Sequence, residues 1–338
     1  MPVVRTLPWS WYADADVLHL ERQLVFRRTW HYVGRAAEVA VAGSFLACGA
    51  AGVPVVVTRD RDGVLRAFLN VCRHRGSVVA EGSGRRATLQ CPYHAWTYGL
   101  DGSLLNAPRA EREGGFGGEA LSLVPLAVDT WGPFVFAAIE PDHSLAETLG
   151  ALRLPFDPAS LVFRTRLEYE LDSNWKIACE NYLECYHCAV AHPSFSERVD
   201  VSPDAYRLEA KGRVASQYGP ARDAGAGGEF HFVWPSLKVN VFPGPSNLSI
   251  GPVWPVDAER SAGFLDYFFA EDVDEDWLRD FFELDGAVGR EDAALVARVQ
   301  RGVRSGVLEH GHLLDESEQL VAWFQERVAE ALTPRGEA

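Results

Sequence analysis

Two mixed pairs, Cys72-Arg73-His74 and Cys91-Pro92-Tyr93-His94, stand sixteen residues apart and constrain this chain more than any other feature. Each pair offers one thiolate and one imidazole, held close by a spacing of one or two residues on hairpin-like turns. Two chemistries fit four such ligands. One is a single structural zinc taking all four. The other is a two-iron cluster in which the cysteines hold one iron and the histidines the second. Zinc fingers generally keep the cysteine pair and the histidine pair in separate halves. Mixed halves suit two irons side by side, because each loop must reach both metals. The flanking sequence fits such loops. From Val39 to Phe136, short β-branched runs are split by turn signals: Val53 to Thr58, then Arg59 to Gly63, then Val64 to Val71, and later Trp96 to Tyr98, Asp101-Gly102 and Ser103 to Leu105. This pattern predicts a small antiparallel β domain.

A second constellation lies in Asn174 to His192. If this stretch is helical, Glu180, Glu184 and His187 stand at i, i+4 and i+7 and share one face. His192 follows five residues later, just before Pro193, where a helix is expected to have ended. Two imidazoles this close can bind one metal, with a carboxylate from elsewhere completing the set. The competing reading is a helix with a solvated acidic edge and two incidental histidines. Around it, Leu161 to Leu171, Phe230 to Phe242, Asn247 to Val256 and Ala262 to Ala270 read as strands. Asp14 to Trp30 reads as an amphipathic helix, and further helices are expected at about Trp277 to Phe282, Arg290 to Ser305 and Ser317 to Leu332. Pro155 to Pro158 makes a domain boundary. The result is an α+β arrangement of helices laid on an antiparallel sheet. Glu111 to Gly118, with four glycines, is expected to be a mobile surface loop, and it lacks the Gly-Lys-Ser/Thr of a phosphate cradle.

A length of 338 residues permits two ordinary domains, and a net charge of −15 argues against non-specific binding to nucleic acid or to an anionic membrane. No basic-then-apolar leader and no run of eighteen apolar residues is present, so the expected location is the cytoplasm. The six cysteines read as thiols or metal ligands rather than disulfides, with Cys179 and Cys185 packing as small apolar groups. His231, His310 and His312 lack sequence partners and read as ordinary residues. Phe230, Phe232, Trp234, Phe242 and Trp254 read mostly as core, with some of them expected to line a pocket if the second constellation is a catalytic site.

The pattern Cys-x-His-x16-Cys-x2-His, preceded by Ala67-Phe-Leu-Asn-Val71 and followed by Ala95-Trp-Thr-Tyr98, resembles the Rieske domain of the Rieske non-haem iron oxygenases. Asn174-Trp-Lys-x3-Glu-Asn-x2-Glu-x-Tyr-His187-x4-His192 is similar to the catalytic signature of the same family. The resemblance implies an N-terminal segment at 1–37 packing on the body and an all-β Rieske domain at 38–155. It also implies a catalytic domain at 156–338 of helix-grip, START-like type. It puts a [2Fe-2S] cluster on Cys72, His74, Cys91 and His94, and mononuclear Fe(II) on His187, His192 and Asp292, with Asp285 or Glu291 next in line for the carboxylate. Glu184 becomes the acid that accepts hydrogen bonds from His187 and from the cluster ligand His94 across a subunit boundary. Tyr93 and Ser77 stand near the cluster with no additional cysteines in its loops, which implies fewer hydrogen bonds to sulfur and a lower potential than in respiratory Rieske proteins.

The resemblance further implies a terminal oxygenase using O2 and NAD(P)H-derived electrons through a separate reductase, with or without a ferredoxin. It would be assembled as a homotrimer or a multiple of trimers. A glutamate at 184, with Cys185, Tyr186 and Cys188 around it, is closer to the branch acting on choline, carnitine or glycine betaine. Hydroxylation or N-demethylation of a small quaternary ammonium compound is therefore expected. Mono- or dihydroxylation of an aromatic compound is one alternative, and a Rieske-type electron carrier without oxygenase activity is another.

Overall fold

The computed structural model describes residues 4–113, 116, 119–223 and 225–333. They fall into two compact units, one of residues 27–145 and one joining the first 26 residues to everything from 146 onward. Much of the glycine-rich 111–118 stretch lies outside the described residues. Among the described residues no helix is long and apolar enough to cross a membrane.

The 27–145 unit is built from the β-branched runs. Its seven-stranded antiparallel sheet runs, in spatial order, His31–Arg35, Phe134–Ala138, Pro125–Trp131, Leu65–Leu69, Val53–Arg59, Ser44–Ala50 and Ser83–Arg85. A three-stranded sheet of Leu89–Gln90, Thr97–Tyr98 and Leu104–Asn106 is tied to it where Thr58 Oγ1 donates to the Leu100 carbonyl at 2.7 Å. Phe45, Val56, Phe68, Leu89, Trp96 and Tyr98 pack in one core with Cys72 and Cys91. The cysteines are thus anchored from below by apolar side chains.

The second unit carries another seven-stranded antiparallel sheet, in the order Val162–Leu171, Ser261–Phe269, Asn247–Pro255, Leu237–Val241, Gly228–Val233, Val214–Gly219 and Arg207–Lys211. The last two strands are not expected from sequence, because Arg207–Lys211 is largely exposed and carries only one bulky apolar side chain. The helices expected at 277–282 and 290–305 are one helix, Glu275–Val303. Gly286 and Gly289 suggest a break, but a glycine costs only about 1 kcal/mol in a helix. Buried Leu278, Phe281, Leu284, Val296 and Gln300 sustain the helical period across it. One consequence is that Asp285 and Asp292, seven residues apart, share a face.

The helix Trp175–Tyr182 is shorter than expected. Asn174 caps its start, accepting from the Lys176 N–H at 2.9 Å, and Leu183 ends it. Its first turn is locked from several sides. Gln300 accepts from the Asn174 N–H at 2.7 Å and donates to the Tyr12 carbonyl at 3.0 Å. Trp175 Nε1 donates to Glu21 at 2.7 Å, and Lys176 Nζ donates to the other oxygen of the same carboxylate at 2.5 Å. Both members of the Lys176–Glu21 pair are 0% exposed. Burial lowers the Lys176 pKa, and the Glu21 charge works against that loss. Removing one partner of such a pair leaves a buried charge uncompensated and costs about 3–5 kcal/mol, whereas replacing both by apolar groups costs far less. Glu21→Ala is therefore expected to lower the thermal midpoint by about 10 °C. The Glu21→Leu/Lys176→Met double variant should recover at least half of that loss in the same melt.

Candidate functional site

The two mixed pairs sit on turns of matching design. In one, Cys72 N donates to the Ser77 carbonyl at 2.8 Å and Gly76 N to the Cys72 carbonyl at 3.0 Å. In the other, Cys91 N donates to the Trp96 carbonyl at 2.8 Å and Ala95 N to the Cys91 carbonyl at 3.1 Å. Gly76 and Ala95 both take left-handed backbone, at φ of +77° and +58°. Both cysteines are buried and both histidines exposed, with the imidazole centroids 4.6 Å apart and His74 stacked on Trp96 at 4.9 Å. Burial alone would raise the Cys91 thiol, but the N–H groups of Tyr93 and His94 aimed at it hold it below its ordinary value. Tyr98 Oη lies 3.3 Å from Cys72 Sγ and accepts from the Arg73 N–H at 3.0 Å. Sequence reading missed Tyr98, which sits in the Ala-Trp-Thr-Tyr run after the second pair. Paired sulfurs below and paired imidazoles above fit two irons.

Among the described residues one set does converge on a single point: His187, His192 and Asp292. His187 Nε2 lies 3.1 Å from His192 Nε2, and Asp292 Oδ1 lies 3.0 Å from His192 Nε2 and 3.6 Å from His187 Nε2. The opposite ring nitrogens are occupied. His187 Nδ1 meets Glu184 Oε1, whose other oxygen accepts from the His187 N–H at 3.1 Å, and His192 Nδ1 meets Glu291 at 2.7 Å. Carboxylates at Nδ1 favour the tautomers with protons there and direct both Nε2 lone pairs inward. Three donors at right angles, each about 2.1 Å from one ion, would be about 3.0 Å apart. The set therefore fits a single divalent metal. Burial would raise the Asp292 carboxyl, yet the His187 and His192 rings beside it and the Asn181 amide that donates to it hold it well below the usual carboxylate range. His187 is lowered by burial but raised more by Asp292 and Glu184, to about 9.

Two expectations need correction. Glu180, Glu184 and His187 do not share a helix face, because the helix stops at Tyr182 and the chain turns before Cys188–Ala191. Glu180 instead points into the core, where Tyr12 Oη and Gln325 Nε2 donate to it at 2.7 and 3.0 Å, and burial raises its pKa to about 7. Cys185 and Cys188 are not thiols. The turn brings their Cα atoms to 4.9 Å and they form a disulfide. Of the alternative carboxylates, Glu291 lies on the far side of His192, and Asp285 accepts from Tyr267 Oη at 2.6 Å.

Comparison with known proteins follows this geometry. Residues 29–129 match the Rieske [2Fe-2S] domain, and residues 158–334 match the ring hydroxylating alpha subunit (catalytic domain). The carnitine monooxygenase oxygenase subunit of Acinetobacter pittii is 34% identical, over 97% of this chain and 95% of that one. The chain belongs to the Rieske ring-hydroxylating oxygenase alpha subunits. The chloroplastic choline monooxygenase of Spinacia oleracea is 31% identical over 94% of this chain and 76% of its own length. The quaternary ammonium Rieske monooxygenase CntA, solved with its substrate L-carnitine, superposes with a TM-score of 0.84 at 33% identity, covering 98% of this chain and 96% of that one. Naphthalene 1,2-dioxygenase from Rhodococcus, at 19% identity and a TM-score of 0.81, shares the fold.

A Rieske oxygenase uses a [2Fe-2S] cluster, a mononuclear non-haem iron and a reductase, and the two donor sets described above fit the two iron centres. The converging triad forms part of the wall of a cavity of about 420 Å3. Aromatic side chains supply much of the rest: Tyr182, Phe195, Tyr206, Phe230 and Phe242. Phe230 and Phe242 are the two of the five expected core or pocket aromatics that border the cavity. Gly286 and Gly289 of the long helix also face it. Lys238, on strand Leu237–Val241, is a lining residue that sequence reading missed. Its only signal was a cation within an otherwise apolar run.

Because Glu291 holds His192 through Nδ1, Glu291→Ala is expected to weaken mononuclear iron binding about 10- to 100-fold. The cluster's visible absorption should be unaffected. Iron titration of the apoprotein checks this, and Asp292→Ala should lose the mononuclear iron outright.

Proposed function

We propose that this oxygenase inserts oxygen into a small quaternary ammonium compound, by hydroxylation or oxidative N-demethylation. We assign Cys72 and Cys91 to one iron of the cluster and His74 and His94 to the other, with His187, His192 and Asp292 as ligands of the mononuclear iron. The observation that carries the reading is the convergence of that triad on a cavity walled by aromatic rings. Quaternary nitrogens cannot accept or donate a hydrogen bond, so aromatic faces are their natural partners. The carnitine and choline monooxygenases among the relatives support the same substrate class.

When bound, the mononuclear iron supplies oxygen activation. The chain's own residues do the rest. The aromatic wall orients the methylammonium head and excludes water from the reacting carbon. Asn181 Nδ2 donates to Asp292 Oδ1 at 2.8 Å and fixes the carboxylate. Glu184 holds His187 by both its ring and its backbone N–H, and we assign it the further task of accepting a hydrogen bond from the His94 of another copy. That assignment implies a homotrimer or a multiple of trimers, arranged so that one copy's cluster feeds its neighbour's iron. Inter-subunit electron transfer described for a quaternary ammonium Rieske monooxygenase at 31% identity supports it. Electrons would enter from a cytoplasmic NAD(P)H-dependent reductase, with or without a ferredoxin.

Two measurements test this. With a surrogate reductase, methylated quaternary amines should drive NADH oxidation with release of formaldehyde, trimethylamine or a hydroxylated product. Turnover of aromatic acids alone would refute the substrate class. Glu184→Ala should keep the cluster spectrum and lose more than about 90% of turnover, the loss expected when an outer-shell partner of a metal ligand is removed; unchanged turnover would remove its relay role.

A further inference from the structure

Lys238 is the cavity residue whose charge the site described so far does not use. Three of the acids lining the cavity are engaged: Asp292 by the two histidines and Asn181, Glu184 by His187, and Asp285 by Tyr267. Glu168 and Glu170 are exposed, as is the other lining cation, Arg290. The Lys238 ammonium has no carboxylate within ion-pair distance among the described residues. It lies over the rings of Tyr169 and Tyr182, at 4.7 and 5.7 Å from their centroids. Burial works to lower its pKa, but Tyr169 and the charge of Asp292 outweigh that and hold it above its ordinary value. A protonated ammonium therefore stands inside a largely apolar cavity without an anion.

Strand geometry places it with respect to the aromatic end. Lys238, Asn240 and Phe242 all line the cavity. Side chains alternate along a strand, so these three project to one face at steps of roughly 6.6 Å, two strand rises. Asn240 is already committed, accepting from Tyr182 Oη at 2.6 Å and donating to Ser249 Oγ at 2.9 Å. The strand Leu237–Val241 and the residue that follows it thus offer a cation at one end and an aromatic ring at the other.

We propose that Lys238 binds a carboxylate of the substrate, so that the substrate is a zwitterion carrying a quaternary nitrogen and an anionic group a few bonds apart. This rests on the substrate class proposed above and narrows it. A purely cationic quaternary alcohol would leave the buried ammonium unpaired and add a second positive charge beside it. A zwitterion satisfies both ends.

The test compares γ-butyrobetaine with choline in the reconstituted holoenzyme. The wild type should favour γ-butyrobetaine in kcat/KM, and Lys238→Met should lower that preference at least about tenfold, mostly through KM, as expected for loss of a charged hydrogen bond. Lys238→Arg should retain most of the preference. If Lys238 only offsets the charge of Asp292 or Asp285, both substrates and iron content will fall together and the ratio will stay within about twofold, a result that overturns the proposal. Equal wild-type efficiency with the two compounds overturns it without any variant. If no quaternary amine is turned over, the broader substrate reading fails separately. Lys238 is then judged by NMR line broadening of butanoate: binding lost in Lys238→Met upholds an anion site, and binding retained refutes it.

Discussion

Two imidazole nitrogens facing each other at 3.1 Å set the terms for the whole 146–333 unit. With a carboxylate at each Nδ1, both Nε2 atoms present lone pairs to the same point, an arrangement that gains its stability when a cation fills the space between them. Holding it requires three chain segments to meet: the turn after the 175–182 helix, the short helix ending at His192, and the long helix that brings Glu291 and Asp292. The buried polar network at Asn174, Gln300, Glu21 and Lys176 fastens the first and third of these, as well as the N-terminal segment, about one helical turn from the cavity-lining Ala178 and Val296. Precision at the metal is therefore supported by a structure that does not touch it.

The same economy explains the 183–188 turn. A continuous helix would have spread Glu184, His187 and His192 along its length. Ending the helix at Tyr182 lets Glu184 bond to the ring and backbone of His187, and the Cys185–Cys188 disulfide spans the same turn. Tyr182 itself donates to Asn240, which joins the helix end to the central sheet and to the cavity face. Position 182 is thus both the last helical residue and part of the cavity wall.

What was legible in the sequence follows from how local each signal is. Cys72, His74, Cys91 and His94 lie within two tight turns, so their spacing carries the chemistry directly, and the β-branched runs around them predict strands that the structure contains. His187 and His192 are also close in sequence. Asp292 lies a hundred residues beyond His192, and only resemblance to a family pointed to it. Two short helices are expected where the structure has one, because packing of Phe281, Leu284 and Val296 carries the helix across Gly286 and Gly289 at modest cost. The disulfide depends on where one helix ends, and Glu180's inward direction on Tyr12 and Gln325, both more than a hundred residues away in sequence. Lys238 and Tyr98 act through neighbours on other strands or loops, and no local pattern marks them.

The division of the cluster ligands bears on how electrons leave it. Sulfur ligands sunk in an apolar core and imidazoles at the surface make the histidine side the natural exit, since water and partners reach only that edge. The relay role proposed for Glu184 needs a carboxylate with acceptor capacity to spare. Each carboxylate oxygen has two acceptor positions, and Glu184 spends one on the His187 ring and one on its backbone N–H. It therefore keeps lone pairs free while being held rigid by the iron ligand it serves. A glutamate anchored at both oxygens keeps its grip on His187 while one acceptor position on each oxygen stays open.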